Sequence, residues 1–229
     1  MPKIQNIPQP LPLAKMAYHA LREAILTGRL NNVEVYNEVA LAKGLGISRT
    51  PVREALLELA SQGLINFLPR RGVAVVRFSA QDVEEIFELR KAIELAAIEK
   101  VSRANPRPDF RKAAAALKDQ QMACHKKNAT AFMLADRKFH GVFFRLTDNR
   151  RMIAIMENIR DVLHVMGLQA MTVEGRMAQV LTEHAAVLEA AGQGNTAAAI
   201  NALDRHLEQS KQAVLERAPA MGTANNRQD

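Results

Sequence analysis

The chain has 229 residues, 48% of them hydrophobic and 4% aromatic, with no Trp, a single cysteine (Cys124) and a formal net charge of +7. That length suits two small domains or one large one, the lone cysteine rules out an internal disulfide framework and fits a reducing cytoplasm, and no apolar run approaches the roughly 20 residues that span a bilayer. Residues 1–78 hold ten Lys/Arg against five Asp/Glu and residues 79–229 hold 21 against 19, so the head of the chain suits a polyanion, nucleic acid first and an anionic membrane surface second.

Residues 1–12 are proline-rich and read as a flexible arm; they lack the charged start and long apolar stretch of a signal peptide. A helical pattern begins at Leu13, keeps Leu21 and Ile25 on one face, and runs to about Gly28. A short helix follows Asn37 over Val39, Leu41 and Ala42, and Gly44 and Gly46 break it. Ser48 is the expected N-cap of the next helix, and Pro51 falls in its first turn, where a missing N–H costs nothing. That helix continues through Val52, Ala55, Leu56 and Leu59, and Gly63 ends it. The period then changes from 3.6 to 2. Residues 64–68 read as a strand, Pro69-Arg70-Arg71-Gly72 as a turn, and residues 73–78 as the returning strand. Three helices and a hairpin over residues 13–78 are the layout of a winged helix-turn-helix.

Ser79 opens the second part, with Asp82 at capping-box spacing. Helices are predicted at 79–104, 108–127, 129–146, 150–169, 174–192 and 196–217, with breaks such as Asn105-Pro106, Asn128 and Gly192-Gln193-Gly194-Asn195. The expected fold is mostly α: an N-terminal winged helix-turn-helix, then a six-helix antiparallel bundle over residues 79–217, then a disordered tail at 218–229.

The densest motif is Gly46-Ile47-Ser48-Arg49-Thr50-Pro51-Val52-Arg53-Glu54-Ala55-Leu56. A short helix, a glycine-bearing turn and a capped second helix direct the first turns of that second helix into a major groove. Arg49 and Arg53 lie four apart on one face. Arginine can pair two-pronged with guanine O6 and N7, Thr50 can meet a phosphate or a thymine methyl, and the N–H groups behind Ser48 can bind phosphate. By composition alone, a solvated surface helix carrying two arginines reads equally well. The stretch Ser48–Leu56, continued by Leu59, Gly63-Leu64 and Pro69-Arg70-Arg71-Gly72-Val73, resembles the recognition helix and wing of the GntR family of bacterial repressors, in its FadR-like subgroup. The resemblance implies that Arg49 and Arg53 read bases with Thr50 assisting, and that the wing tip, Arg71-Gly72, enters or borders the minor groove. One departure is Leu30-Asn31-Asn32-Val33-Glu34, which stands where relatives often carry Pro-Gly. Asn tolerates left-handed turns, so a changed loop is expected.

In the second part, Asp136 and His140 share a helix face at i and i+4. His184 lies about eight residues before the Gly192–Asn195 turn and His206 about eleven after it, so an antiparallel hairpin sets them side by side. Three imidazoles and a carboxylate suit Zn, Ni, Mn or Fe. A lone helical histidine is ordinarily partly exposed or satisfied in the core, which is the reading for His19, His125 and, less firmly, His164. The FadR-like subgroup carries a helical ligand-binding domain, the FCD domain, and the likeness implies a divalent transition metal on Asp136, His140, His184 and His206. Six helices after the wing resemble its VanR-like branch, and the resemblance spans residues 14–217. Such a metal would hold the carboxylate or hydroxyl of a small organic or sugar acid. Arg90 either adds a fork-like anchor for that effector or pairs with Glu94 at i+4. Met152, Met156 and Met166 either line the pocket or are plain core.

The function expected from these readings is a cytoplasmic, homodimeric transcription regulator on two-fold double-stranded operator DNA, acting as a repressor under control of a small acid, and not an enzyme. Two alternatives stay open. One is a metal-dependent hydrolase whose Asp/His set activates a water, although no clear general base lies beside that set. The other is a structural or RNA-binding protein that uses the basic head.

Overall fold

The computed structural model describes residues 11–217; residues 1–10 of the expected arm and the tail at 218–229 lie outside them. Two compact units divide the chain, one ending at Arg77 and the other beginning at Phe78. The first contains α1 (Leu13–Leu26), α2 (Glu38–Leu45), α3 (Arg49–Ser61), β1 (Ile65–Leu68) and β2 (Gly72–Val75). Asn37 starts α2 by accepting from the Val39 N–H, and Gly46 ends it at φ +68°. Ser48 occupies the cap position of α3 in extended conformation, but its hydroxyl makes no capping bond. At the other end, Gly63 at φ +71° turns the chain so that the Leu64 N–H reaches the Leu59 carbonyl at 3.1 Å, the closure that a glycine after the C-cap permits. Val52, Ala55, Leu56 and Leu59 recur at helical spacing on the buried side of α3 and pack with Leu21 and Ile25 of α1. That packing fixes which side of α3 is left facing out.

The hairpin pairs Ile65 with Val75 through Leu68 with Gly72. The returning strand is thus shorter than expected and ends at Val75. Tyr36 adds a short rung: its N–H donates to the Val73 carbonyl at 2.7 Å and its carbonyl accepts from the Val73 N–H at 2.9 Å. Gly72, expected at the wing tip, is the first residue of β2 and has a backbone reason to be glycine. Its φ is +127°, and a Cβ there would stand 2.2 Å from the Tyr36 carbonyl oxygen. The tip itself is Pro69–Arg71, with Arg70 at φ +60°. The loop at 30–34 also forms for a different reason than expected. Among the described residues the non-glycine positive φ values fall at Arg70, Lys127 and Asp148, so neither Asn31 nor Asn32 is left-handed. Instead Asn31 Oδ1 accepts from the Val33 N–H and the Asn31 N–H donates to the Tyr36 hydroxyl, both at 2.9 Å, an Asx turn tied to the extra rung.

The second unit contains α4 (Ala80–Arg103), α5 (Arg111–His125), α6 (Ala129–Leu146), α7 (Arg150–Ala170), α8 (Arg176–Gln193) and α9 (Thr196–Leu215). Ser79 and Asp82 form both bonds of a capping box at α4, and the side chains of Asn128, Asn149 and Asn195 cap α6, α7 and α9. Alanines at 190, 191, 199 and 202 let α8 and α9 approach closely, around a core of Ile98, Phe139, Phe143, Val187 and Leu203. α7 packs through a separate small cluster of Ala97, Phe144 and Met156. Residues of α4, α6, α7, α8 and α9 surround a cleft of about 700 Å³, counted with its open mouth. Among the described residues no helix is long and apolar enough to cross a membrane.

Gly72→Ala is expected to loosen the wing by about 1–3 kcal/mol, since it forces a strained backbone against Tyr36. Amide exchange should speed up at Tyr36 and Val73 while α4–α9 are unchanged; unaltered exchange at those two amides would contradict the account of Gly72.

Candidate DNA-binding face and candidate metal centre

Because Val52, Ala55, Leu56 and Leu59 are buried, Ser48, Arg49, Thr50 and Arg53 face solvent on α3. Arg49, Thr50 and Arg53 line one shallow surface hollow together with Glu38, Glu54 and Leu57, and Leu57 is 53% exposed. Arg53 Nη1 donates to both oxygens of Glu38, at 3.2 and 3.3 Å. Its side chain is 59% exposed, so this pair is weak, about 0–1 kcal/mol, and the guanidinium is free to swing toward a base edge. Sequence reasoning missed Glu38: it lies on the preceding helix, and no local spacing marks it. With no hydroxyl cap from Ser48, the first N–H groups of α3 remain open to another acceptor. Arg71 is exposed at the wing tip, where its N–H closes the turn on the Leu68 carbonyl at 3.0 Å.

In the second unit, α6 carries Asp136 and His140, α8 carries His184 and α9 carries His206. The three histidines are buried, at 5%, 0% and 2% exposure, and one nitrogen of each lies within 4.8 Å of the other two. Each ring is oriented from behind. His140 Nδ1 is 2.7 Å from Glu94 Oε2, His184 Nδ1 is 2.8 Å from Gln120 Oε1, and His206 Nδ1 is 2.7 Å from Glu183 Oε2. A carboxylate only accepts, so His140 and His206 carry their proton on Nδ1. Gln120 directs its amide nitrogen to Asp136 Oδ1 at 3.3 Å, which leaves its oxygen for His184 and gives that ring the same tautomer. All three Nε2 atoms are therefore acceptors, and that of His140 already meets the Arg90 guanidinium, whose Nη2 lies 3.1 Å away. His184 Nε2 and His206 Nε2 stand 3.3 Å apart, and Asp136 Oδ1 lies 3.6 Å from His184 Nε2 and 3.9 Å from His140 Nε2. Arg90 relieves His140, but the His184 and His206 Nε2 atoms are facing acceptors without a shared proton, and they repel one another unless a cation lies between them. Three imidazoles and one carboxylate, each imidazole held by an outer hydrogen bond, are the donor set that Zn, Mn, Ni or Fe takes. The residues present therefore fit a divalent metal.

Protonation states agree with that fit. Burial, then the nearby charge of His206, His140 and Arg90, pushes His184 far below its ordinary value of 6.5. Burial also lowers His206, against the opposing effect of the hydrogen bond it donates to Glu183. Burial alone would raise Glu94, but the Arg90 charge and the charge and hydrogen bond of His140 hold it well below the carboxylate range. Glu183 is likewise lowered, burial being outweighed by His206 and Arg176. Arg176, which sequence reasoning also missed, reaches Glu183 Oε1 at 2.6 Å and Ser210 Oγ at 3.0 Å.

Arg90 makes the pair with Glu94 and also borders the cleft. Its Nε donates to Glu94 Oε1 at 2.6 Å, the i+4 pair, and its Nη2 stands 3.1 Å from His140 Nε2 at the wall of the cleft. Asp136, His140 and His206 line the same cleft, while His184 lies behind them. Met156 lines it too, Met166 is core, and Met152 is half-buried away from it. His164 is buried and lines the cleft, whereas His19 and His125 are exposed. Glu94 and Glu183 are each tied to a histidine and an arginine, so neither is an uncommitted base for a metal-bound water.

Comparison with known proteins finds two families. Residues 13–75 match bacterial regulatory proteins of the gntR family, and residues 85–209 match the FCD domain. The HTH-type transcriptional regulator YdhC of Bacillus subtilis (strain 168) is 28% identical over 85% of this chain and 87% of its own length. An HTH-type transcriptional regulator from the TAR-I ttuE-ttuC' intergenic region of Agrobacterium vitis is 34% identical over 54% of this chain and 74% of its own. The gluconate operon transcriptional repressor of Bacillus subtilis (strain 168) is 25% identical over 87% of this chain and 84% of its own. A solved transcriptional regulator GntR from Rhodococcus sp. RHA1 shares the fold, with a TM-score of 0.81 over 89% of this chain and 97% of its own at 24% identity.

The two lowered histidines set a pH dependence. Below the ordinary value of 6.5 the unfolded chain protonates His184 and His206 while the folded chain keeps them neutral. The unfolded state then binds more protons, and stability falls as the pH drops. Metal-stripped protein should therefore melt at lower temperature at about pH 5.5 than at about pH 7.5, and His184→Gln should flatten that slope. An equally steep acid slope in the variant would contradict the assignment.

Proposed function

Since the chain belongs to the FCD-bearing gntR family of bacterial regulatory proteins, and is a DNA-binding transcription regulator rather than an enzyme, we propose that it is a homodimeric repressor released from its operator by a small organic acid bound at a divalent metal. The observation that carries this reading is the convergence of one nitrogen from each of three buried histidines at the wall of a cleft, with Asp136 Oδ1 beside two of them. Asp136, His140, His184 and His206 would hold the metal, whether Zn, Ni, Mn or Fe. When bound, it supplies a Lewis-acid point for the carboxylate or hydroxyl of the acid.

Arg90 is the second anchor for the acid. Its Nη2 contacts His140 Nε2, the lone pair that the metal would take, so metal binding would free that arm of the fork for the acid while Nε stays on Glu94. α4 is also the helix that follows the head in the chain. An effector that favours one arrangement of α4 shifts the population of dimers able to place two recognition helices in successive major grooves, about 34 Å apart. In the head, Arg49 and Arg53 would read bases, and Thr50 and the Ser48 end of α3 would hold phosphate. Arg71 would border the minor groove, and Gly72 would keep the wing closed. A relative named for repression of the gluconate operon supports both repression and a sugar-acid effector.

Two measurements check the proposal. Arg53→Ala should weaken binding to a two-fold operator by about 1–3 kcal/mol at fixed salt, with a smaller loss on random duplex. Equal loss on both would mean that Arg53 meets only phosphate. Stripping the metal should lower the melting temperature of the wild type, and His206→Ala should be insensitive to chelation. If chelation and added metal leave the wild-type melt unmoved, the metal-anchored cleft is wrong while the DNA-binding head stands.

A further inference from the structure

The cleft holds a second group of cations that the metal-anchored reading leaves unused. α6 lines it with Asp136, Arg137, His140 and Gly141, and α7 brings Arg160 to the same wall. Gly141 directly follows His140. A Cβ at that glycine would stand 2.7 Å from Arg160 Nη2 and 3.0 Å from Arg145 Nη1, so the bare Cα is the seat on which the two guanidinium groups rest. Arg137, one turn earlier, is bonded to Asp161 of α7. Arg160 is half-buried. Burial first, then Arg137 and Arg145, lower its pKa, while Glu157 and Asp161 act in the opposite sense. Asp161 and Glu157 offset only part of this crowding, since the Arg160 pKa is still lowered overall, and a further anion at the cleft wall would relieve the rest.

We propose that Arg160, seated on Gly141 and flanked by Arg137, forms a second anion subsite, so that the effector is an acid with two anionic groups. One group goes to the metal centre with Arg90, and the other, a carboxylate or a phosphate, goes to Arg160. The inference rests on the metal-anchored cleft proposed above. Arginine suits the second group because its planar fork takes two oxygens at once. A monoanionic acid of the same length fills the metal end and leaves the Arg160 end unanswered.

The test uses zinc-loaded full-length protein and calorimetric titration with matched acids. The pairs are malate against 2-hydroxybutyrate, 2-hydroxyglutarate against 2-hydroxyvalerate, and 3-phosphoglycerate against glycerate. In at least one pair the dianion should bind about tenfold tighter or more. A preference confined to the first two pairs identifies a carboxylate as the second group, and one confined to the third identifies a phosphate. Arg160→Gln should reduce the preference to about twofold or less while leaving the monoanion affinity in place. Gly141→Ala should do the same by displacing the guanidinium, in a helix made intrinsically more favourable by the alanine. Retained monoanion affinity in that variant keeps a loss of preference from being put down to misfolding. A wild type that binds both members of every pair equally, or variants that keep the full preference, would overturn the subsite and leave the metal anchor standing. Failure of every acid to bind would overturn both.

Discussion

Three buried imidazole rings that converge at the wall of a cleft are the constraint on which the helical unit depends. Nothing in an apolar core selects such an arrangement; it persists because each ring is held from behind. Glu94 on α4, Gln120 on α5 and Glu183 on α8 each take one Nδ1 proton, and Arg90 and Arg176 keep the two carboxylates ionised in a buried setting. The set ties α4, α5, α6, α8 and α9 together by hydrogen bonds. A buried polar network of this kind is favourable only when every member is satisfied. The facing Nε2 atoms of His184 and His206 are where it is incomplete without a cation.

The elements of this network were unequally legible in the sequence. Asp136 and His140 follow from i, i+4 spacing, and His184 with His206 from counting residues away from one turn; their nitrogens lie 3.3 Å apart. The outer shell was not legible. Gln120 is 64 residues from the histidine it orients. Glu183 sits next to His184 in sequence yet bonds His206, because adjacent helical residues point about 100° apart and meet different neighbours. Arg160 carried no signal either, since its role depends on a glycine on another helix.

The head shows the same division. Helix order, the glycine closing α3 and the presence of the hairpin follow from local chemistry, so they could be read directly, while the strand bounds shifted, with Gly72 in β2 and that strand ending at Val75. The Tyr36 rung, the Gly72 requirement and the Glu38–Arg53 pair all join segments far apart in the chain. The Asn31 turn is local, closed by its own side chain on the Val33 N–H and tied to the Tyr36 hydroxyl, and not set by the left-handed preference of asparagine. Both units leave arginines facing outward or into a cleft from an otherwise well-packed scaffold, and the proposed function assigns them two different anions, DNA and a small acid.

The central claim is that the converging Nε2 atoms hold a metal. Anomalous diffraction at the zinc edge, from crystals of zinc-loaded full-length protein, tests it most directly. The account predicts one strong peak per chain, about 2.0–2.1 Å from Nε2 of His140, His184 and His206 and within similar reach of Asp136. A zinc bound stoichiometrically elsewhere, or a loaded crystal with no peak among those three rings, would contradict it.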